Sequence, residues 1–180
     1  MGELLLAVTF FADARKLAVA SNETGLHIVD VESGKQIGAG SEANFVVASP
    51  DDKTLAVVRN APKLVTKRRG NEKAFASPVY ASATVVLLAA DTCRELHQIK
   101  IAGSDVWALA FSPDGKTLAA TTGWETGRIH LYDVATGREF RTIDTPAIRS
   151  PALAFTPDGS KLICGMADTS VLVWDLQAKP

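Results

Sequence analysis

The sequence predicts an all-β protein assembled from four copies of one small sheet, and three observations predict it. A ten-residue motif recurs four times along the 180 residues. Short runs of Val, Leu, Ile and Phe are separated by Pro-Asp-Gly, Ser-Gly and Thr-Gly clusters, the mark of strands joined by tight turns. No segment of ten or more residues repeats its apolar positions at a helical period, so essentially no helix is expected.

The motif is clearest as Leu109-Ala-Phe-Ser-Pro-Asp-Gly-Lys-Thr-Leu118 and Leu153-Ala-Phe-Thr-Pro-Asp-Gly-Ser-Lys-Leu162. Weaker copies run from Val46 to Leu55 and from Val8 to Leu17. The matching aspartates are Asp13, Asp51, Asp114 and Asp158, spaced 38, 63 and 44 residues apart. A second element follows each copy: Gly25-Leu-His-Ile-Val-Asp30, Arg128-Ile-His-Leu-Tyr-Asp133 and Ser170-Val-Leu-Val-Trp-Asp175. In the second repeat it reads Thr84-Val-Val-Leu-Leu-Ala-Ala-Asp-Thr-Cys93, with Leu88-Ala89 at the Tyr-Asp position and Cys93 at the turn glycine. Against a period of about 40 residues, that repeat carries about 20 extra.

Each repeat divides into four strands. In the first they are Leu4–Phe10, Leu17–Ala20, Leu26–Val31 and Lys35–Gly38. Pro and Asp stand where a type I turn takes them, and in two copies Gly follows. The repeat units cover about 4–40, 41–100, 101–144 and 145–176, within a single domain of 1–180.

Composition excludes several classes. With 47% hydrophobic residues and a formal net charge of −1, the chain has no disorder signature and no excess charge for attracting phosphates at range. No apolar run approaches the roughly 18–20 residues that cross a bilayer as a helix. Two distant cysteines, Cys93 and Cys164, fit free thiols in a reducing compartment. Glu3 is the only early charge, unlike the basic start of a secretory signal. A cytoplasmic location is therefore expected.

The apolar-Ala-Phe-Ser-Pro-Asp-Gly-Lys-x-Leu motif, followed by Trp-Asp or Tyr-Asp, resembles the WD-repeat β-propeller family. The resemblance covers nearly the whole chain and looks most like divergent bacterial members. It implies four-stranded blades around a channel, first strand innermost, and a binding scaffold rather than an enzyme. It assigns structural roles to Tyr132 and Trp174 between blades, to Asp30, Asp133 and Asp175 in turns, and to Asp114 and Asp158 in the Pro-Asp-Gly motif. Ala102 and Pro146 stand where strong members carry a histidine, so the family's buried His–Asp network is expected to be absent.

After Leu176 only four residues follow, too few for another strand. The expectation is fifteen strands: three complete blades and a fourth lacking its outer strand. Four such blades should form an open arc or part of a larger propeller. Self-association, or missing blades, would then close the ring.

Candidate partner-binding residues cluster in two places. The insertion, about 59–83, carries Lys63, Lys67, Arg68, Arg69 and Lys73 against Glu72, a net +4 from Lys63 to Lys73. Loops on a rigid scaffold often carry function, and this patch suits an acidic protein. A solvated hairpin tip is the plain alternative. Phe75 and Tyr80 are too few aromatics to argue for base stacking, so nucleic acid is not expected. Trp124 sits in the equivalent loop of repeat three, and Trp107 near the start of the inner strand. Exposed aromatics favour interfaces, although both could simply pack. His27 and His130 occupy equivalent strand positions and are expected on the solvent side.

No Cys or His spacing reads as a zinc site, and no metal or cofactor is expected. Gly38-Ala-Gly40-x-x-Ala43 superficially resembles a dinucleotide fingerprint, but no helical pattern follows it. The leading expectation is a non-catalytic protein-interaction scaffold working through the loop face. Alternatives are a fragment of a propeller enzyme, lactonase-like or quinoprotein-like, and a sensory or regulatory tail of a larger protein.

Overall fold

The computed structural model describes residues 5–21, 23–67, 75–102, 106–123, 127–145 and 152–177, with side chains described at 7–21, 23–59, 83–101, 106–123, 127–145 and 152–177. Arg68, Arg69, Lys73 and Trp124 lie outside the described residues. All regular structure among the described residues is β, in fifteen strands. The first sheet contains β1 (Leu5–Phe10), β2 (Lys16–Ser21), β3 (Gly25–Asp30) and β4 (Gln36–Gly40). The second contains β5 (Phe45–Ala48), β6 (Thr54–Lys67), β7 (Phe75–Ala89) and β8 (Glu95–Ala102). The third contains β9 (Val106–Phe111), β10 (Thr117–Thr122), β11 (Gly127–Asp133) and β12 (Glu139–Thr145). The fourth has three strands among the described residues: β13 (Ala152–Phe155), β14 (Lys161–Gly165) and β15 (Val171–Asp175). Every sheet is an antiparallel meander in chain order.

Each sheet buries its faces against its neighbours rather than against itself. The strands β1, β5, β9 and β13 meet in sequence, and among the described residues the fourth sheet does not close on the first. The result is an open arc. Three apolar seams hold it. Leu26, Ile28, Val46 and Leu55 lie in the first, between sheets one and two. Val58, Leu87, Leu118 and Tyr132 lie in the second. Ile129, Leu131, Leu162 and Cys164 lie in the third, with Trp174 packed against them. Alternation along a strand sends successive side chains to opposite seams. Leu118 and Ala120 thus join the second seam while Ala119 joins the third.

The repeated motif builds one turn four times. A backbone N–H donates three residues back in each: Ala14 to Phe11 at 2.9 Å, Asp52 to Ser49 at 3.0 Å, Gly115 to Ser112 at 2.9 Å and Gly159 to Thr156 at 2.8 Å. The donors Ala14, Asp52, Gly115 and Gly159 all have positive φ. Glycine at the last two meets that requirement without strain. In three of the turns a hydroxyl locks the aspartate: Ser49 to Asp51 at 2.7 Å, Ser112 to Asp114 at 2.6 Å and Thr156 to Asp158 at 2.5 Å. In the first, Phe11 replaces the hydroxyl residue, and Asp13 accepts from the Arg15 N–H at 2.9 Å. The next turn of each repeat is also shared. Asp30 accepts from the Ser33 N–H and hydroxyl, and Asp133 from those of Thr136. A register shift falls at the matching step of the third-to-fourth strand ladder in the first three sheets: Ile28/Val29, Leu87/Leu88 and Leu131/Tyr132.

These locked carboxylates set an acid limit. The Thr156 hydroxyl above all, then the Ser160 N–H and hydroxyl, holds Asp158 down to about 2 from 3.8. Ser49 and Ser112 lower Asp51 and Asp114 in the same way. A carboxylate lowered on folding contributes stability above its unfolded pKa and loses it as pH falls through the folded one. The urea midpoint is therefore expected to hold down to about pH 4 and to fall steadily from there toward pH 2. A midpoint unchanged across that window would contradict the turn geometry.

Candidate functional site

The β6–β7 hairpin positions the basic insertion. The strand β5 pairs with β6 only as far as Phe45 opposite Val58, and β8 pairs with β7 only as far as Ala102 opposite Ser82. Beyond those points β6 and β7 continue as a two-stranded ribbon, with Lys63 opposite Val79 and Lys67 opposite Phe75. At about 3.3 Å per residue, six further residues carry the ribbon some 20 Å past the sheet. A register shift between Ala61 and Pro62 accommodates the proline, which cannot donate to the ladder.

The base of the ribbon is fixed. The Asn44 N–H donates to the Val58 carbonyl at 2.8 Å. Arg59 donates from Nε to the Glu42 carbonyl at 3.2 Å, and its guanidinium pairs with Glu95. Gln98 Nε2 donates to the other Glu95 oxygen at 2.7 Å. Arg59, then Gln98, holds the Glu95 carboxyl below its ordinary value. Arg59, the first cation of the insertion, is thereby committed to the scaffold.

The ribbon leaves the arc at the same end as the connection between the first two sheets. Trp107 stands at that end of the third sheet, half-buried, its Nε1 donating to the Gly123 carbonyl at 2.8 Å. Lys63 and Lys67 are placed along the ribbon backbone.

The opposite end of the arc, where the Pro-Asp-Gly turns lie, holds a groove between sheets three and four. Its volume is about 600 Å³, and Asp114, Phe140, Arg141, Phe155, Asp158 and Leu176 line it. Its charged groups are engaged: both aspartates in their turns, and Arg141 donating to the Leu176 carbonyl at 3.0 Å. Sequence reasoning missed this groove, because residues from four different strands and turns form it.

It also misjudged His130, which is only 15% exposed along its side chain rather than solvent-facing. His130 Nδ1 lies 2.8 Å from Glu139 Oε2, and Nε2 lies 3.0 Å from Thr122 Oγ1. Its ring stacks on Tyr132 at 6.1 Å. Burial pushes Glu139 up, but hydrogen bonds from Thr142 and His130 outweigh it and hold the carboxyl below its usual value. Burial, reinforced by Glu139, pushes the Tyr132 phenol up. The pattern repeats in sheet one, where His27 lies 2.9 Å from Gln36 and 2.7 Å from Thr24. Repeated at equivalent positions, it ties third strands to fourth strands. The recurring histidine with Gln or Glu nine residues later was a readable signal. Among the described residues, no three His, Cys, Asp or Glu side chains gather to hold a metal ion. No described helix is long and apolar enough to cross a membrane.

The family pattern described as "WD domain, G-beta repeat" matches residues 94–133 and 147–175. A WD repeat-containing protein, sll1491, of Synechocystis is 32% identical over 164 residues, covering 90% of this chain and 41% of the relative. The WD repeat-containing protein VIP3 of Arabidopsis thaliana is 27% identical over 99 residues, 48% of this chain and 30% of the relative. The chain thus spans less than half the length of these curated relatives. The crystal structure of the Cps50 (Swd1) β-propeller domain of Myceliophteria thermophila superposes with a TM-score of 0.71 at 15% identity. That match covers 97% of this chain and 54% of the other. Repeated turns, stacked meander sheets and these likenesses agree: residues 94–133 and 147–175 match the WD-repeat pattern, and the described sheets are blades of the β-propeller fold.

Proposed function

We propose that this chain is a non-catalytic scaffold that binds a partner protein through its loop face. The observation that supports the reading is the β6–β7 ribbon, a paired strand extension that carries Lys63 and Lys67 clear of the blade. Its base is tied down through Arg59, which reduces the entropy lost when a partner docks. Lys63, Lys67, Arg68, Arg69 and Lys73 supply the charge, and the partner's contact surface is acidic. Trp107 and Trp124 supply aromatic contact area. The domain is one partial propeller over 1–180, with blades of about 4–40, 41–100, 101–144 and 145–176. The compartment is the cytoplasm, a reading supported by the two cysteines, Cys93 and the buried Cys164, which are not joined in a disulfide.

The test is affinity capture with the wild-type chain and with the Lys67→Glu, Arg68→Glu, Arg69→Glu variant, alongside binding to a polyglutamate peptide. Salt-sensitive peptide binding should weaken at least tenfold in the variant, and captured proteins should disappear with it. Identical capture by both chains would refute the loop-face reading. Tighter binding to polyuridylate RNA than to polyglutamate would also count against it.

A further inference from the structure

The β6–β7 ribbon has two edges and two faces, and its register separates their chemistry. The Ser49 and Asn44 N–H groups flank β5 and donate to the Thr54 and Val58 carbonyls, each at 2.8 Å. Even-numbered residues of β6 therefore turn their backbone groups toward β5 and odd-numbered ones toward β7, since antiparallel pairing alternates. Beyond Val58 the β5 side of β6 is an open edge, and Pro62 stands on it. Directly opposed residues share this orientation, so Pro78, opposite Leu64, stands on the open edge of β7.

The bulge makes this possible. Ala61 opposes Ser82 and Pro62 opposes Tyr80, which leaves Ala81 as the extra residue. Without it, Pro78 would oppose Val65 at an inward position, where the ladder needs an N–H that proline lacks. With it, each edge carries a proline where a strand added from outside would need a donor. Proline at such positions guards an edge against pairing.

Successive residues of a strand alternate between its faces. Lys63, Val65 and Lys67 share one face of the ribbon with Val79, Ser77 and Phe75. Pro62, Leu64 and Thr66 share the other with Tyr80, Pro78 and Ala76. Both cations of the paired segment fall on the first face, and the second has no charged residue.

We propose that the partner grips the ribbon by these two faces rather than by adding a strand to its edges: acidic side chains meet the Lys63–Lys67 face, and apolar side chains meet the Leu64–Tyr80 face. The partner's contact surface is thus acidic and apolar together, where charge alone would ask only for acid. The proposal rests on the loop-face reading and specifies it.

The test is a titration of the wild-type chain, at fixed salt, with polyglutamate and with a random glutamate–leucine copolymer of equal charge per chain. The copolymer should bind at least tenfold tighter. Leu64→Ser with Tyr80→Ser should reduce the copolymer to the affinity of polyglutamate and leave polyglutamate itself within twofold. Lys63→Gln with Lys67→Gln should weaken both. Pro62→Val with Pro78→Val restores both edge donors and should change neither by more than twofold. Equal wild-type affinities for the two polymers, or a copolymer advantage that survives the Leu64 and Tyr80 changes, would overturn the two-face proposal and leave the loop-face reading standing. Tighter binding once the donors are restored would overturn it in favour of strand addition. Binding of neither polymer would overturn both the proposal and the reading beneath it.

Discussion

Replacing Leu118 with alanine is expected to cost about 2–5 kcal/mol of stability, the range for a fully buried leucine whose neighbours cannot collapse into the space. Leu118 has no exposure and sits in the seam between sheets two and three, among Val58, Leu87, Leu109 and Tyr132. Those neighbours belong to two sheets whose backbones are fixed by their own ladders. Relaxation across the seam is therefore limited. Repeat proteins are held by contacts between neighbouring units, so this seam joins the two halves of the chain. Urea denaturation followed by circular dichroism measures the loss. Val31→Ala, at a position 46% exposed, serves as the control and should shift stability by no more than about 0.5 kcal/mol. Equal effects for the two substitutions would contradict the seam.

Gly137→Ala is expected to be the next most damaging change, and Gly34→Ala separates its causes. Both glycines have nearly the same left-handed backbone, φ 67° and 66°. Each donates its N–H to the equivalent aspartate carbonyl, Asp133 at 2.8 Å and Asp30 at 2.9 Å. The left-handed conformation alone costs a residue with a Cβ about 1–2 kcal/mol. Cys93 shows that the position tolerates that cost, with φ 54° and its N–H on the Ala89 carbonyl at 2.8 Å. The difference lies across the seam. A Cβ on Gly137 would stand 2.9 Å from His97 Cβ, whereas one on Gly34 would meet nothing. His97 cannot swing away freely, because its Nε2 is bonded to the Ala135 carbonyl at 2.8 Å. Gly34→Ala should cost about 1–2 kcal/mol from the backbone alone. Gly137→Ala should cost clearly more, read from the same denaturation curves. Equal costs would mean that the seam gives way.

Much of the fold was legible because its turns are local. Pro113-Asp114-Gly115 and Pro157-Asp158-Gly159 announce themselves within three residues, and each aspartate finds its hydroxyl partner two residues away. Strand boundaries came within a few residues for the same reason. The ribbon was less legible: Pro62 and Pro78 interrupt the strand pattern, and only the bulge at Ala61/Pro62 explains how the ladder carries through. What joins the sheets was not legible at all. His97 and Ala135 are 38 residues apart, and Arg141 reaches the Leu176 carbonyl across 35. No periodicity within a repeat reports such pairs.

The proposed scaffold role requires that a partner dock on the loop face. Hydrogen exchange on the chain with and without a captured partner tests it most directly. Docking at the loop face should slow exchange at 41–44, along the ribbon at 61–67 and 75–82, and at the start of β9 around Trp107. No change is expected at the opposite turns, 112–115 and 156–159. Protection confined to those turns and to the groove beside Phe140 would contradict it and move the binding site to the other end of the arc.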